Sequence, residues 1–204
     1  AAIYEVCKAV RDATPPDIPV TAKVRLGFDD DGQLEDITHN AFASGITELT
    51  VHARMKAQAY RPPAHWSTLR SIHNTGGIPV IANGEIWTPS DLFQCRKVSG
   101  CNAFMLARGA VCRPDLARAI LAHDQGQRVD PMTWEEITEL LVHFFDANGA
   151  LYERKFAINP VKQWLVYLQY AYPQAAALFA KIKRIRDPDP MRAALIGANQ
   201  SVAA

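Results

Sequence analysis

Ile78-Pro-Val-Ile-Ala-Asn-Gly-Glu-Ile86, followed by Phe104-Met-Leu-Ala-Arg-Gly-Ala110, decides the fold. Each stretch is a short apolar strand running into a Gly-containing polar turn that opens a helix, a geometry that aims backbone N–H groups at an anion. Two such turns in succession predict a phosphate grip. (β/α) barrels build one of this kind in the loops after their last two strands.

Upstream, the same pattern repeats. Strands are expected over Val20–Leu26, Thr47–His52, Pro79–Asn83 and Asn102–Ala107, and their central residues Val20, Leu49, Val80 and Phe104 lie 29, 31 and 24 residues apart. Helical patterns fill the gaps, which is the rhythm of βα units on a parallel sheet. Thr88, with Pro89 next and Asp91 three residues on, is a helix N-cap, and Gly45 and Gly100 fall where helices should stop.

Side-chain parity separates two faces of these strands. Val20, Ala22 and Val24 oppose Thr21, Lys23 and Arg25; Leu49 and Val51 oppose Thr50 and His52; Val80 and Ala82 oppose Ile81 and Asn83. One face is apolar, as helix-covered strands require. The other gathers Lys23, His52 and Asn83 near the strands' carboxyl ends, where α/β folds place their chemistry.

Residues 123–131 are polar, contain Gly126 and Pro131, and read as a linker between residues 1–122 and residues 132–204. Beyond it the rhythm is all-helical. Thr133 and Glu136 form a capping box, and three apolar faces follow: Trp134, Ile137, Leu141, Phe144 and Phe145; then Val161, Trp164, Leu165 and Leu168; then Leu178, Phe179, Ile182 and Ile185. A small helical domain of about three helices is expected.

Composition narrows the function classes. Hydrophobic residues make up 49% of the 204 and charged residues 21%, typical of a globular chain, with neither a membrane-length apolar run nor a secretory leader pattern. A cytoplasmic protein is expected. Cys7, Cys95, Cys101 and Cys112 have no C-x-x-C or zinc-ligand spacing and read as reduced, mostly buried thiols, with no metal site. The net charge of +1 hides a division, since residues 151–204 carry +5 and the first 150 carry −4. A basic helical section beside an acidic body suits a nucleic-acid-facing surface.

Read motif by motif, the chain resembles the tRNA-dihydrouridine synthase family, and its C-type branch in particular. Lys23-Val-Arg-Leu-Gly27, Glu48-Leu-Thr-Val-His-Ala-Arg-Met-Lys56, Gln58-Ala-Tyr-Arg61, the two turns quoted above and Lys162-Gln-Trp-Leu165 stand in that family's order. The resemblance implies an α/β fold: the second half, strands five to eight, of an FMN-binding TIM (β/α)8 barrel, followed by a small all-helical domain that cradles tRNA. It implies reduction of a D-loop uridine, at position 16 in the C-type branch, with NADPH recharging the FMN. Lys23 matches a lysine beneath the flavin ring, where a fixed cation stabilises charge on the reduced flavin. His52 matches a histidine at the flavin's polar edge, and Asn83, Gly84, Glu85, Ala107 and Arg108 match the turns holding ribityl and phosphate. Tyr60 matches a tRNA-contacting tyrosine, and Lys162 and Lys183 match cations facing the tRNA backbone.

The match also breaks in places. The family's proton-donor cysteine lies in a motif that none of the four cysteines here shares, so no catalytic residue is assigned and this chain alone is expected to be inactive. The opening Ala1-Ala2 suggests a piece of something longer, and an open half-barrel would offer its edges to a second copy. Ala53, Ala59 and Ala107 stand where glycines are usual, and Pro160 where the C-type branch commonly has a basic residue. The competing reading is an RNA-binding module without catalysis, held by phosphate contacts.

Overall fold

A computed structural model describes residues 2–73 and 77–198. By Cα packing the chain divides into two compact units, Ala1–Ala107 and Arg108–Ala204.

The first unit alternates helix and strand: α1 (Ala2–Ala13), β1 (Thr21–Arg25), α2 (Leu34–Ala43), β2 (Glu48–His52), α3 (Leu69–His73), β3 (Val80–Asn83), α4 (Pro89–Ser99) and β4 (Ala103–Met105). The strands form one sheet in the order β1-β2-β3-β4, parallel throughout, so β1 and β4 are its edges. All four expected strands are present, each trimmed by one to three residues.

Register explains the two faces. Val24, Val51, Ala82 and Phe104 stand in one row, and Arg25, His52, Asn83 and Met105 in the next. Leu49, Val51, Val80 and Ala82 are buried, whereas Lys23 on the opposite face is exposed.

Local chemistry ends the helices where expected. Thr88 Oγ1 accepts from Asp91 N–H at 3.2 Å, and the Asp91 carboxylate accepts in return from Thr88 N–H at 2.8 Å, the reciprocal box that starts α4. Gly100 caps its end at φ +78°, a conformation open to glycine at little cost.

Among the described residues, the regular elements of the second unit are helices: α5 (Arg108–Cys112), α6 (Leu116–Asp124), α7 (Trp134–Leu151), α8 (Ile158–Leu168), α9 (Pro173–Ile182) and α10 (Pro188–Gly197). Thr133 and Glu136 form the expected capping box at α7. Among the described residues beyond 132 there are four α-helices, where about three were expected. The additional helix, α10, has no legible apolar stripe, because only Met191 and Leu195 are buried on it. The core joins Ile137, Leu141 and Phe145 of α7 to Val161 and Leu165 of α8 and Ile182 of α9. Phe144 and Trp164, expected on core faces, are only partly buried and meet edge to face at 5.1 Å. No helix among the described residues is long and apolar enough to cross a membrane.

All four cysteines are free thiols; Cys95, Cys101 and Cys112 are buried and Cys7 is partly exposed. Burial pushes the Cys95 thiol from 9.0 to about 12, although Ser99 offsets part of the effect. Two outcomes are expected. At pH 8 a chromogenic disulfide should titrate Cys7 first and leave Cys95 until the chain unfolds, because only about one in 10⁴ Cys95 thiols is then ionised. Between pH 9 and 12 the folded chain still holds the proton that the unfolded chain has released, so the urea midpoint should fall as pH rises through that window. Replacement of Cys95 by Ala should remove that part of the slope.

Candidate functional site at the carboxyl ends of the strands

The polar face of the sheet converges where β1, β2 and β3 end. Lys23 Nζ donates to Asn83 Oδ1 at 2.7 Å, and Asn83 Nδ2 donates to the Met105 carbonyl at 2.8 Å. One amide therefore ties β1 and β4 to β3. Desolvation over the sheet, then repulsion from Arg25, lowers the Lys23 pKa below its ordinary 10.5.

His52 pairs in register with Arg25 on one side and Asn83 on the other. Its ring is buried, and the Tyr60 ring stands 6.1 Å away. Tyr60 itself is exposed and lies under the Arg25 guanidinium at 5.4 Å. Arg25 in turn donates to the carbonyls of Met55 at 3.1 Å and Ala59 at 2.8 Å, which fixes the loop that carries Tyr60. The structure thus brings Lys23, His52, Asn83 and Tyr60 together.

Beneath His52 lies a side chain to which the sequence reading assigned no role. Arg54 is fully buried. It is ion-paired with Glu85, donates from Nε to the Arg61 carbonyl at 2.9 Å, and places Nη1 3.3 Å from His52 Nε2. A guanidinium out of water requires such partners, since an uncompensated buried charge costs several kcal/mol. β2 ends at His52 and a tight turn follows, so strand parity does not extend to Arg54 and no local pattern marks its burial.

The turn after β3 is conformationally unusual. Gly84 has φ +115° and Glu85 φ +59°. A Cβ at Gly84 would stand 2.9 Å from His52 Cδ2, so this position must lack a side chain for backbone and imidazole to approach. Trp66 Nε1 donates to the Gly84 carbonyl at 2.8 Å, and Trp87 Nε1 to Glu85 Oε1 at 2.8 Å. Asn83, Gly84 and Glu85 are therefore one locked segment. Ala107 is the last residue of the first unit and Arg108 the first of the second, opening α5.

The remaining assigned cations lie in the second unit. Lys162 and Lys183 line one cavity of about 610 Å³ with Lys155, Arg184 and Arg186. Lys162 is also structural, donating to the Ile185 carbonyl at 2.6 Å. Among the described residues, no group of three or more His, Cys, Asp and Glu is placed to hold a metal.

Comparison with known proteins bears on both regions. The dihydrouridine synthase family model matches residues 1–200. The tRNA-dihydrouridine(16) synthase of Aquipseudomonas alcaligenes is 40% identical over 185 residues, which is 91% of this chain and 59% of that protein. That of Pseudomonas putida is 44% identical over 186 residues, 91% of this chain and 57% of that protein. The Neisseria meningitidis serogroup A protein of the same name is 37% identical over 196 residues, covering 93% and 57%. The chain thus spans a little under three fifths of the length of these curated relatives.

Backbone conformation predicts opposite effects at two positions. Ala59 sits at φ +54°, in the left-handed region that disfavours a Cβ, so Ala59→Gly should raise stability by about 0.5–1 kcal/mol in urea unfolding. Gly84→Ala should lower it by about 2 kcal/mol or more, because strain and the His52 contact act together.

Proposed function

This chain belongs to the dihydrouridine synthase family, and from that membership we propose that it carries strands five to eight of a TIM (β/α)8 barrel and the tRNA-facing helical domain of a flavin-dependent tRNA-dihydrouridine synthase. The units proposed for these roles are residues 1–122 and 132–204, joined by 123–131. The parent activity is reduction of a D-loop uridine, at position 16, to 5,6-dihydrouridine, in the cytoplasm. FMN, recharged by NADPH, would supply the hydride.

The observation that carries this reading is the convergence of Lys23, His52 and Asn83 beside the Gly84 turn, whose backbone abuts the His52 ring where a Cβ would clash. These residues suit a planar, polar-edged ligand bearing a phosphate. Lys23 offers a cation at the open face, held against Asn83. Its lowered pKa reflects partial desolvation, which strengthens its field at a ligand placed there. Asn83, Gly84 and Glu85 are the residues proposed to hold the ribityl and phosphate in the first unit, and the family role proposed for Ala107 and Arg108 is the same. Ala107 is not among the residues with positive φ, so its backbone accepts a side chain where the family usually has glycine.

Reduction of the uracil double bond also needs a proton at the neighbouring carbon. Cys95, Cys101 and Cys112 are sealed from solvent, at 0%, 0% and 3% exposure, and cannot reach a uridine. Their burial removes three of the four thiols as proton donors; the fourth, Cys7, is partly exposed on α1 and lacks the family's cysteine motif, and on that ground we read this chain alone as inactive.

A second reading, RNA binding without catalysis, is favoured by one observation: five cations surround the cavity at Lys162 and Lys183. Two titrations separate the readings. Adding FMN to the chain should quench tryptophan fluorescence, since Trp66 and Trp87 brace the Gly84 turn. Lys23→Met and Gly84→Ala should abolish that response, and a wild-type chain that ignores FMN would overturn the flavin reading. Binding of tRNA should weaken steeply with salt, and Lys183→Ala should reduce the slope of log K against log salt by about 1. A salt-independent affinity would remove the cavity from the RNA interface.

A further inference from the structure

We propose that Arg54 is the positioning residue of this site, fixing His52 as the tautomer protonated on Nδ1, so that the imidazole offers a ligand a hydrogen-bond donor and not an acceptor. The inference deepens the flavin reading and rests on it for the ligand's identity.

Arginine has five N–H donors and no acceptor. The Arg54 Nη1 contact to His52 Nε2 at 3.3 Å can therefore be a hydrogen bond only if Nε2 carries a lone pair. A neutral imidazole has a single N–H, which then sits on Nδ1. Arg54 cannot turn away to release this constraint. Its Nε is engaged by the Arg61 carbonyl, and its other amino group by the Glu85 carboxylate, with the guanidinium fully buried and the carboxylate partly so. Glu85 is itself held by Trp87 Nε1. A three-residue turn, with Arg54 N–H donating to the His52 carbonyl at 2.6 Å, brings the two side chains against each other.

Ring orientation is constrained as well as protonation. Gly84 lies against the Cδ2–Nε2 edge, where a Cβ would stand 2.9 Å from Cδ2 and 3.3 Å from Nε2. Flipping the ring would turn Cε1 toward the guanidinium and lose the hydrogen bond. The Nδ1–Cε1 edge is thereby the one turned away from Gly84 and Arg54. A ligand atom meeting it must accept. Of the polar atoms on an isoalloxazine ring, the carbonyl oxygens and bare ring nitrogens qualify and the imide N–H does not. Arg54 would thus select which part of the flavin edge faces His52 without touching the flavin. Lysine cannot replace it, because an ammonium lacks the planar fork that reaches Glu85, Arg61 and His52 at once.

The test is a long-range ¹H–¹⁵N spectrum of the chain labelled at histidine, recorded without flavin, with His52 assigned by the loss of its signals in His52→Gln. The Nδ1–H form should exceed the Nε2–H form by about tenfold or more, the scale of one charge-assisted hydrogen bond. Arg54→Lys should lower that ratio by about tenfold. A wild-type His52 with Nε2–H dominant, or with both forms equally populated, overturns the proposal. So does an Arg54→Lys chain that keeps the wild-type ratio. Where Arg54→Lys does not fold, the wild-type ratio alone decides the tautomer, and Arg54 is then tested by Glu85→Gln, which should loosen the guanidinium and lower the ratio. Because flavin is absent, failure of the chain to bind FMN leaves this result unaffected, and the two readings fail separately.

Discussion

A guanidinium buried at the carboxyl ends of parallel strands needs a partner in every direction, and the geometry of the polar face is organised around meeting that need for Arg54. Its partners come from three places: His52 at the end of β2, the Arg61 carbonyl in the following loop, and Glu85 in the turn after β3. Together they hold the left-handed Gly84–Glu85 turn against the histidine ring. Removing one partner would leave charge buried without compensation, which is why such a cluster acts as a unit. The histidine ring and the Gly84 turn are thus held in place by a side chain that is itself fully buried.

Above that layer, a second network runs across the open face. Lys23, Asn83 and the Met105 carbonyl form a chain from β1 to β4 through the amide of β3. An amide that accepts from a cation and donates to backbone has one orientation, so Asn83 could not be exchanged for a carboxylate without losing the bond to Met105. The ammonium is held over the sheet, and its partial desolvation is the physical source of its lowered pKa. The helical unit follows a different logic. Its core is apolar, formed by α7, α8, α9 and α10, and five of its cations line one cavity. Lys162 serves both purposes there, because its bond to the Ile185 carbonyl anchors the chain segment that presents Lys183, Arg184 and Arg186.

Much of this was legible in the residues. The spacing of Val20, Leu49, Val80 and Phe104 located all four strands, because parallel strands joined by helices recur at a nearly constant interval. Caps at Thr88, Thr133 and Gly100 were readable because they depend on side chains only a few positions apart. Strand parity placed Lys23, His52 and Asn83 on one face, since alternation is a local property of an extended chain. The fourth helix of the second unit beyond the linker, α10, was harder to see: its apolar positions are sparse, and burial of Met191 and Leu195 depends on the helices around them. Ala59 could be flagged as an unusual residue from the motif, but its positive φ is visible only in the folded loop.

The sequence by itself determined the alternation of strands and helices in the first unit, the parallel sheet, its apolar and polar faces and the family, because these follow from periodicity, local capping and motif order. Only the tertiary structure decided that Arg54 lies buried beneath His52, that Asn83 links Lys23 to β4, and that Gly84 abuts the imidazole. The contacts of Asn83 and Gly84 join segments tens of residues apart, and Arg54, though two residues from His52, is compensated by Glu85 from the turn after β3. Such contacts are set by strand register and by the need to satisfy a buried charge, and no local pattern encodes them.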